Sequence, residues 1–245
     1  MVKLKNLDIV YVVKDSAFNA ELRYSLRSVE KNFPHHKVVF YGGKPVGLHP
    51  DKQVVVKQEG DRKYDRVRNM LKMIAENDEI TEDFVLFNDD FFVMDKVKDL
   101  PYYACGSLTD LCVRIECRNN YHPTPYTTEL KKTYAALRSK NYLAENFELH
   151  VPIIFNRRLL REVLEEFPDN KGTRSLYCNK LLEIEATKHY WFASSDDVKI
   201  WEKDETPENR DLEIPFLSTS DESFANGNVG QFIKGMFTRK SKWER

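Results

Sequence analysis

Apolar residues along this chain fall into two periods, and their alternation predicts the architecture. Leu7 to Val13 is a run of β-formers that reads as a central first strand, and Lys37 to Tyr41 and Gln53 to Lys57 read as two more. Between the first two, Asn19 to Asn32 carries Ala20, Leu22, Leu26 and Val29 on one face of an amphipathic helix. Asn19 is placed to cap that helix and Pro34 to close it. Lys63 to Glu76 repeats the helical pattern with Val67, Met70, Leu71 and Ile74. Phe84 to Phe87 is a buried strand that stops at Asn88-Asp89-Asp90 and turns apolar again through Phe91, Phe92 and Val93. Strand, helix, strand, strand is the opening of a doubly wound α/β sheet.

The second half is less regular. A strand is predicted at Leu111 to Cys117, a proline-rich loop at Tyr121 to Tyr126 and a basic helix, facing an acceptor, at Thr127 to Ser139. His150 lies between Leu149 and Val151-Pro152, at a strand end or in a loop. Asn156 is positioned to cap a helix whose core face is Leu159, Leu160, Val163 and Leu164. After a loop from Pro168 to Thr173, Arg174 to Asn179 opens another helix. Ser194 to Arg210 reads as a surface loop, Ile214 to Leu217 as a short strand and Val229 to Phe237 as a terminal helix, followed by a basic tail. Ser218 to Glu222 repeats the apolar-then-acidic arrangement of the Asp89-Asp90 stretch.

Composition narrows the classes. The 245 residues suit one α/β domain with a sizeable core. A net charge of −1 leaves no global basic footprint, so no nucleic-acid partner is expected. No apolar run approaches the roughly 20 residues that span a bilayer, and the N-terminal apolar run, interrupted by Asp8, reads as a strand rather than a signal peptide. Cys105, Cys112, Cys117 and Cys178 form no CxxC pair, which fits reduced thiols in a cytoplasmic protein.

The candidate chemistry centres on Asp89 and Asp90. Two adjacent carboxylates in apolar surroundings call for a cationic partner, and a divalent metal carrying a nucleotide diphosphate fits them; the same triplet is also good turn composition. Lys14-Asp15-Ser16 is a strand-to-helix turn of the kind that holds a phosphate or base. Arg23 and Arg27 share a helix face, and Lys63, Arg66 and Asn69 lie about a turn apart on the next helix, available either to a diphosphate or to water. Gly42-Gly43 is too short for a phosphate-binding fingerprint and reads as a turn. Arg174 at a helix start gains nothing from the helix dipole, so a bound anion or a nearby glutamate would explain its place.

Four stretches, in order and spanning nearly the whole chain, resemble the Stealth family of hexose-1-phosphate transferases, which includes bacterial capsule-polymer phosphotransferases. They are ELRYSLRSVEK at Glu21 to Lys31, FVLFNDDFF at Phe84 to Phe92, HVPIIFNRRLLREVLEEFPD at His150 to Asp169 with Arg174 beyond it, and FLSTSD at Phe216 to Asp221 followed by FTRKSKWE at Phe237 to Glu244. The chain departs from the family at Tyr11-Val12-Val13-Lys14-Asp15, where a Thr-Trp-Val-Asp-like segment is usual, and at Ser220-Asp221, where Asn-Asp is usual.

The resemblance implies a GT-A-like, Rossmann-like fold with a mixed, mainly parallel sheet flanked by helices. It implies one nucleotide-sugar transferase domain, with residues 1–95 binding the nucleotide and 96–245 carrying acceptor and catalytic groups. On this reading Asp89 and Asp90 hold Mg²⁺ or Mn²⁺. Val12, Lys14, Arg23, Arg27, Lys63, Arg66, Asn69 and Asn88 bind the nucleotide sugar, a UDP-sugar foremost. His150 is the general base for a glycan hydroxyl, Arg174 binds phosphate oxygens, and Asp221 orients His150 or completes the metal site. Two alternatives stay open. One is a GT-A glycosyltransferase that attacks the sugar carbon and releases a nucleoside diphosphate. The other is a non-catalytic carbohydrate- or nucleotide-binding module.

Overall fold

The computed structural model describes residues 3–57, 59–60, 63–185, 190–193, 198–209 and 214–245. The chain runs β1 (Asp8–Val13), α1 (Ala20–Asn32), β2 (Val38–Gly42), β3 (Lys52–Val55), α2 (Lys63–Glu76), β4 (Asp83–Asn88), β5 (Phe91–Val93), β6 (Tyr102–Ala104) and α3 (Leu108–Arg118). It continues through α4 (Pro125–Ser139), β7 (Ile153–Asn156), α5 (Arg157–Glu166), α6 (Thr173–Ile184), β8 (Tyr190–Phe192), β9 (Lys199–Ile200), β10 (Phe216–Thr219), α7 (Asp221–Asn226) and α8 (Asn228–Met236).

Five strands form the main sheet in the order β3-β2-β1-β4-β7. The first four are parallel, and β7 joins β4 antiparallel. Helices on both faces explain why β1 and β4 read as continuous apolar runs rather than alternating ones. Leu22, Leu26 and Val29 of α1 pack with Ile9, Tyr11 and Phe87 on one side. Leu71 and Ile74 of α2, Leu160 and Val163 of α5 and Leu176 of α6 pack with Val10, Phe84 and Phe155 on the other. Asn19 caps α1 by accepting the Leu22 N–H at 2.9 Å, and Asn156 caps α5 by accepting that of Leu159 at 3.1 Å.

Register decides what meets at the sheet's edge. Val12 pairs with Asn88, so β1 and β4 end together. Because β7 is antiparallel, Ile153 lies opposite Leu86, and the chain entering β7 from His150 arrives at that same edge. A second sheet, β5-β10-β9, starts where β4 ends. In it Ser218 stands opposite both Phe91 and Lys199. Among the described residues no helix is long and apolar enough to cross a membrane.

Several elements differ from the sequence reading. Leu111 to Cys117, predicted as a strand, lies inside α3. Ser107 Oγ accepts the Asp110 N–H and the Asp110 carboxylate accepts the Ser107 N–H, a capping box that starts a helix. Leu108, Leu111 and Cys112 then fall on one buried helical face. The helix predicted from Thr127 begins at Pro125, because Thr124 caps it and proline at the first position loses no hydrogen bond. The third strand ends at Val55 and the last runs from Phe216 to Thr219, each shifted from its predicted span by up to two residues. Of the loop predicted for Ser194 to Arg210, Lys199–Ile200 is strand β9; positions 194–197 and 210 lie outside the described residues.

Candidate functional site

The chain leaves β4 at Asn88 and places Asp89 and Asp90 before β5 begins at Phe91. Asn19, the cap of α1, donates its Nδ2 to Asp89 Oδ2 at 2.6 Å. Lys199 Nζ donates to Asp90 Oδ2 at 2.8 Å, and Ser218 Oγ donates to the same oxygen at 3.2 Å. This follows from the Phe91–Ser218–Lys199 register across β5, β10 and β9. The two carboxylates separate electrostatically. Burial and the neighbouring Asp90 charge push the Asp89 pKa up. Burial opposes ionisation of Asp90 as well, but the charge and hydrogen bond of Lys199 work against it, and Asp90 is held below the ordinary value.

His150 faces this pair, with Nδ1 4.0 Å from Asp90 Oδ2. Burial, then Lys199 and Arg174, push its pKa down to about 3, so the imidazole is neutral near pH 7. Arg174, in the first turn of α6, fixes the backbone on both sides of His150. Its Nη1 donates to the carbonyls of Leu149 at 2.9 Å and Val151 at 2.6 Å. Its guanidinium carbon lies 5.6 Å from the centroid of the Phe91 ring, while the His150 ring meets the same phenyl edge-on at 6.2 Å. Three buried polar atoms in this cluster have no hydrogen-bond partner: Asp90 Oδ1, His150 Nδ1 and Arg174 Nη2. Orphaned buried polar groups are costly and uncommon, and a ligand entering here would satisfy all three kinds, acceptor, ring nitrogen and cationic donor.

Along the β1 side, Lys14 Nζ lies 3.1 Å from each oxygen of Asp221. Glu21, buried in the first turn of α1, accepts the Thr219 hydroxyl at 2.8 Å. Its carboxyl is pushed up to about 8 by burial, against the Thr219 hydrogen bond and with help from Asp221 and Asp90. Asp221 itself is held low: burial is outweighed by hydrogen bonds from Glu21 and Lys14. Burial thus favours the protonated form of Glu21, and Lys14 the charged form of Asp221.

The structure brings together Asp89, Asp90, His150, Arg174 and, one layer away, Lys14 and Asp221. Lys63 acts on Asp89, Asp90 and His150 through its charge. Val12 and Asn88 pair at the strand ends below. Other sequence candidates are directed elsewhere. Arg27 donates to both oxygens of Glu244 at 2.7 Å and Arg23 to one at 3.0 Å, so both are engaged by the C-terminal segment. Arg66 Nε donates to the Gly60 carbonyl and Asn69 Nδ2 to that of Glu59, which ties the loop before α2. Asp221 opens α7 and turns to Lys14; it does not orient His150.

Two residues of the cluster escape the sequence reading. Glu21 looks like an ordinary polar position of an amphipathic helix. Yet Glu21, Ser25, Ser28 and Asn32 form a helically spaced polar stripe that is entirely buried, with Ser25 and Asn32 donating to the carbonyls of Phe91 and Val93. That stripe was a detectable signal. Lys199 sits in a segment of mixed charge, and nothing local marks it.

The fit of a divalent cation rests on the carboxylates left over. One oxygen of Asp89 and one of Asp90 are engaged, and Asp90 Oδ1 is buried and unpartnered. Among the described residues no group of three or more His, Cys, Asp and Glu side chains is gathered to hold a metal. A protein-only cage is not formed there. A cation that brings phosphate and water as its other ligands needs only one or two carboxylates, and these residues fit that case.

No family model matches the chain. An exopolysaccharide phosphotransferase of Nocardia farcinica (strain IFM 10152) is 25% identical over 272 residues, covering 92% of this chain and 53% of that protein. The chain thus spans about half the length of the curated relative it matches. Among solved structures, the galactosyltransferase LgtC in complex with donor and acceptor sugar analogs matches with a TM-score of 0.51 at 13% identity, over 96% of this chain and 98% of that one. An active-site mutant of LgtC matches with the same values. The likeness in structure extends over nearly the full length of both chains, and the fold is the GT-A-like α/β fold: a mixed, mainly parallel sheet flanked by helices, with Asp89 and Asp90 at the carboxyl edge.

Proposed function

We propose that the protein is a transferase that takes a nucleotide sugar, a UDP-sugar foremost, and passes hexose-1-phosphate to a hydroxyl of a glycan. The observation that carries this reading is the convergence of Asp90 Oδ1, His150 Nδ1 and Arg174 Nη2, all buried and unpartnered, from three separate segments at the edge where β1 and β4 end. In open α/β sheets that edge is where ligands bind. The exopolysaccharide phosphotransferase relative supports the reaction class, and the LgtC-like fold suits a nucleotide-sugar donor.

The roles follow from the chemistry of the side chains. Residues 1–95 supply the donor half through Lys14, Lys63, Asp89 and Asp90, and residues 96–245 supply His150, Arg174 and Lys199. Mg²⁺ or Mn²⁺ on Asp89 and Asp90 would neutralise diphosphate charge. Arg174 Nη2 donates to an oxygen of the transferring phosphoryl group. His150 takes the proton of the acceptor hydroxyl as its oxygen bonds to the sugar-bearing phosphorus. The bond from that phosphorus to the bridging oxygen then breaks, and a nucleoside monophosphate leaves. The neutral imidazole is in the right state to accept a proton, but Lys199 and Arg174 make it a weak base. A bound diphosphate opposes those cations and raises its basicity when the donor is present.

Incubation with a panel of nucleotide sugars and Mn²⁺, followed by identification of the released nucleotide, tests the proposal. A nucleoside monophosphate is expected. Release of a diphosphate would assign transfer of the sugar itself, and no release with any donor would leave a binding module.

A further inference from the structure

A large aromatic side chain stands exposed beside this cluster. Trp201 follows β9 directly, and the residue is left 55% exposed. It is nonetheless held in place. Lys199 Nζ lies 4.7 Å from the centre of its ring system while bonding Asp90 at 2.8 Å. The Trp201 carbonyl accepts the Ser220 hydroxyl at 3.5 Å, and the preceding Ile200 carbonyl accepts that of Ser223 at 2.8 Å. Just beyond, the carbonyls of Lys203 and Asp204 accept the Asn228 N–H at 2.7 Å and its side-chain amide at 3.0 Å. An exposed indole on a segment fastened on both sides is a preorganised contact surface, and binding it costs little conformational entropy.

We infer that Trp201 is a stacking platform for a pyranose ring of the acceptor glycan. This rests on the transferase reading above. The apolar C–H face of a pyranose suits the negative face of an indole, and Ser220, whose hydroxyl donates to the Trp201 carbonyl, lies beside it. The side of the cluster decides between acceptor and donor. Lys199, which supports the ring, meets Asp90 at Oδ2, the same oxygen that lies 4.0 Å from His150. The platform therefore adjoins the proton acceptor for the incoming hydroxyl. Asn19, at the start of α1, bonds the other aspartate, Asp89.

Saturation-transfer NMR with the methyl glycosides of glucose, galactose, mannose and N-acetylglucosamine, in the presence of UDP and Mg²⁺, tests this on the wild type, Trp201→Ala and Trp201→Phe. At least one glycoside should receive saturation on one ring face in the wild type. Its affinity should fall about tenfold in Trp201→Ala and less in Trp201→Phe, which keeps a π face, while UDP affinity stays within about twofold. Full glycoside contact in Trp201→Ala, no contact in the wild type, or a loss of UDP affinity in place of glycoside affinity would overturn the inference; the last would make the ring a nucleotide platform. Nucleotide release is measured separately. Turnover with unaltered glycoside contact in Trp201→Ala sinks the platform alone, and Trp201-dependent contact without turnover sinks the transferase reading alone.

Discussion

Arg174 divides its guanidinium between backbone and ligand. One nitrogen clamps the carbonyls flanking His150, and another is buried and unpartnered. Lysine cannot reproduce this fork. Arg174→Lys should therefore lower kcat about 100-fold and leave UMP affinity largely unchanged in calorimetry, since it disturbs His150 and the contact to the transferring phosphoryl group, which UMP lacks. His150→Ala should reduce transfer by about 100-fold or more, with nucleotide binding intact; full turnover in that variant would remove the imidazole from the mechanism. At this scale the sequence drew attention where a residue type is unusual for its setting, as with paired aspartates ending an apolar strand and an arginine at the positive end of a helix; His150 was singled out only by the family resemblance. Glu21 shows in the sequence only through its polar stripe with Ser25, Ser28 and Asn32, and Lys199 was not legible; the packing of α1 on β5 and the pairing of β9 with β10 make both neighbours of the site.

Elements were legible where capping and periodicity agree, as in α1 and α5, and misread where a capping box outweighs β-rich composition, as in α3. The glycine pair after β2 is instructive. It reads only as a turn, but a Cβ at Gly43 would lie 2.2 Å from the Lys14 carbonyl oxygen, so the backbone there approaches the site segment too closely for any side chain. Gly43→Ala should push Lys14 away from Asp221 and raise the donor KM about tenfold, read by steady-state kinetics, with the fold retained by circular dichroism. Helix α1 is also held from outside. Glu244, with 1% of its side chain exposed, pairs with Arg27 and Arg23. Against the cost of burial, Arg27, the Ser241 backbone and Arg23 hold its pKa down to about 2. A carboxyl depressed in the folded state stabilises fully above its unfolded pKa, about 4.3, and loses that contribution as pH falls toward about 2. Glu244→Gln should cost about 3 kcal/mol at neutral pH and flatten the dependence of Tm on pH across that interval.

Seen whole, the molecule is a device for bringing remote segments to one sheet edge. Parallel pairing of β1 with β4 aligns Lys14 and Asp89, antiparallel β7 delivers His150, and the β5-β10-β9 sheet delivers Ser218 and Lys199. The alternation of strands and helices made the α/β class readable from the sequence. The antiparallel return of β7 and the second sheet were not, because strand direction and pairing between distant segments leave no local pattern. The account's central claim is that the group arriving at this edge is a sugar phosphate and that the bond broken lies between the two phosphorus atoms of the donor. The most direct measurement follows a donor labelled at its sugar-bearing phosphorus through a reaction with a glycan acceptor. The label should leave with the glycan product, and Arg174→Lys and His150→Ala should each suppress its appearance there. Label recovered in released nucleoside diphosphate, with unlabelled sugar on the acceptor, would contradict the account.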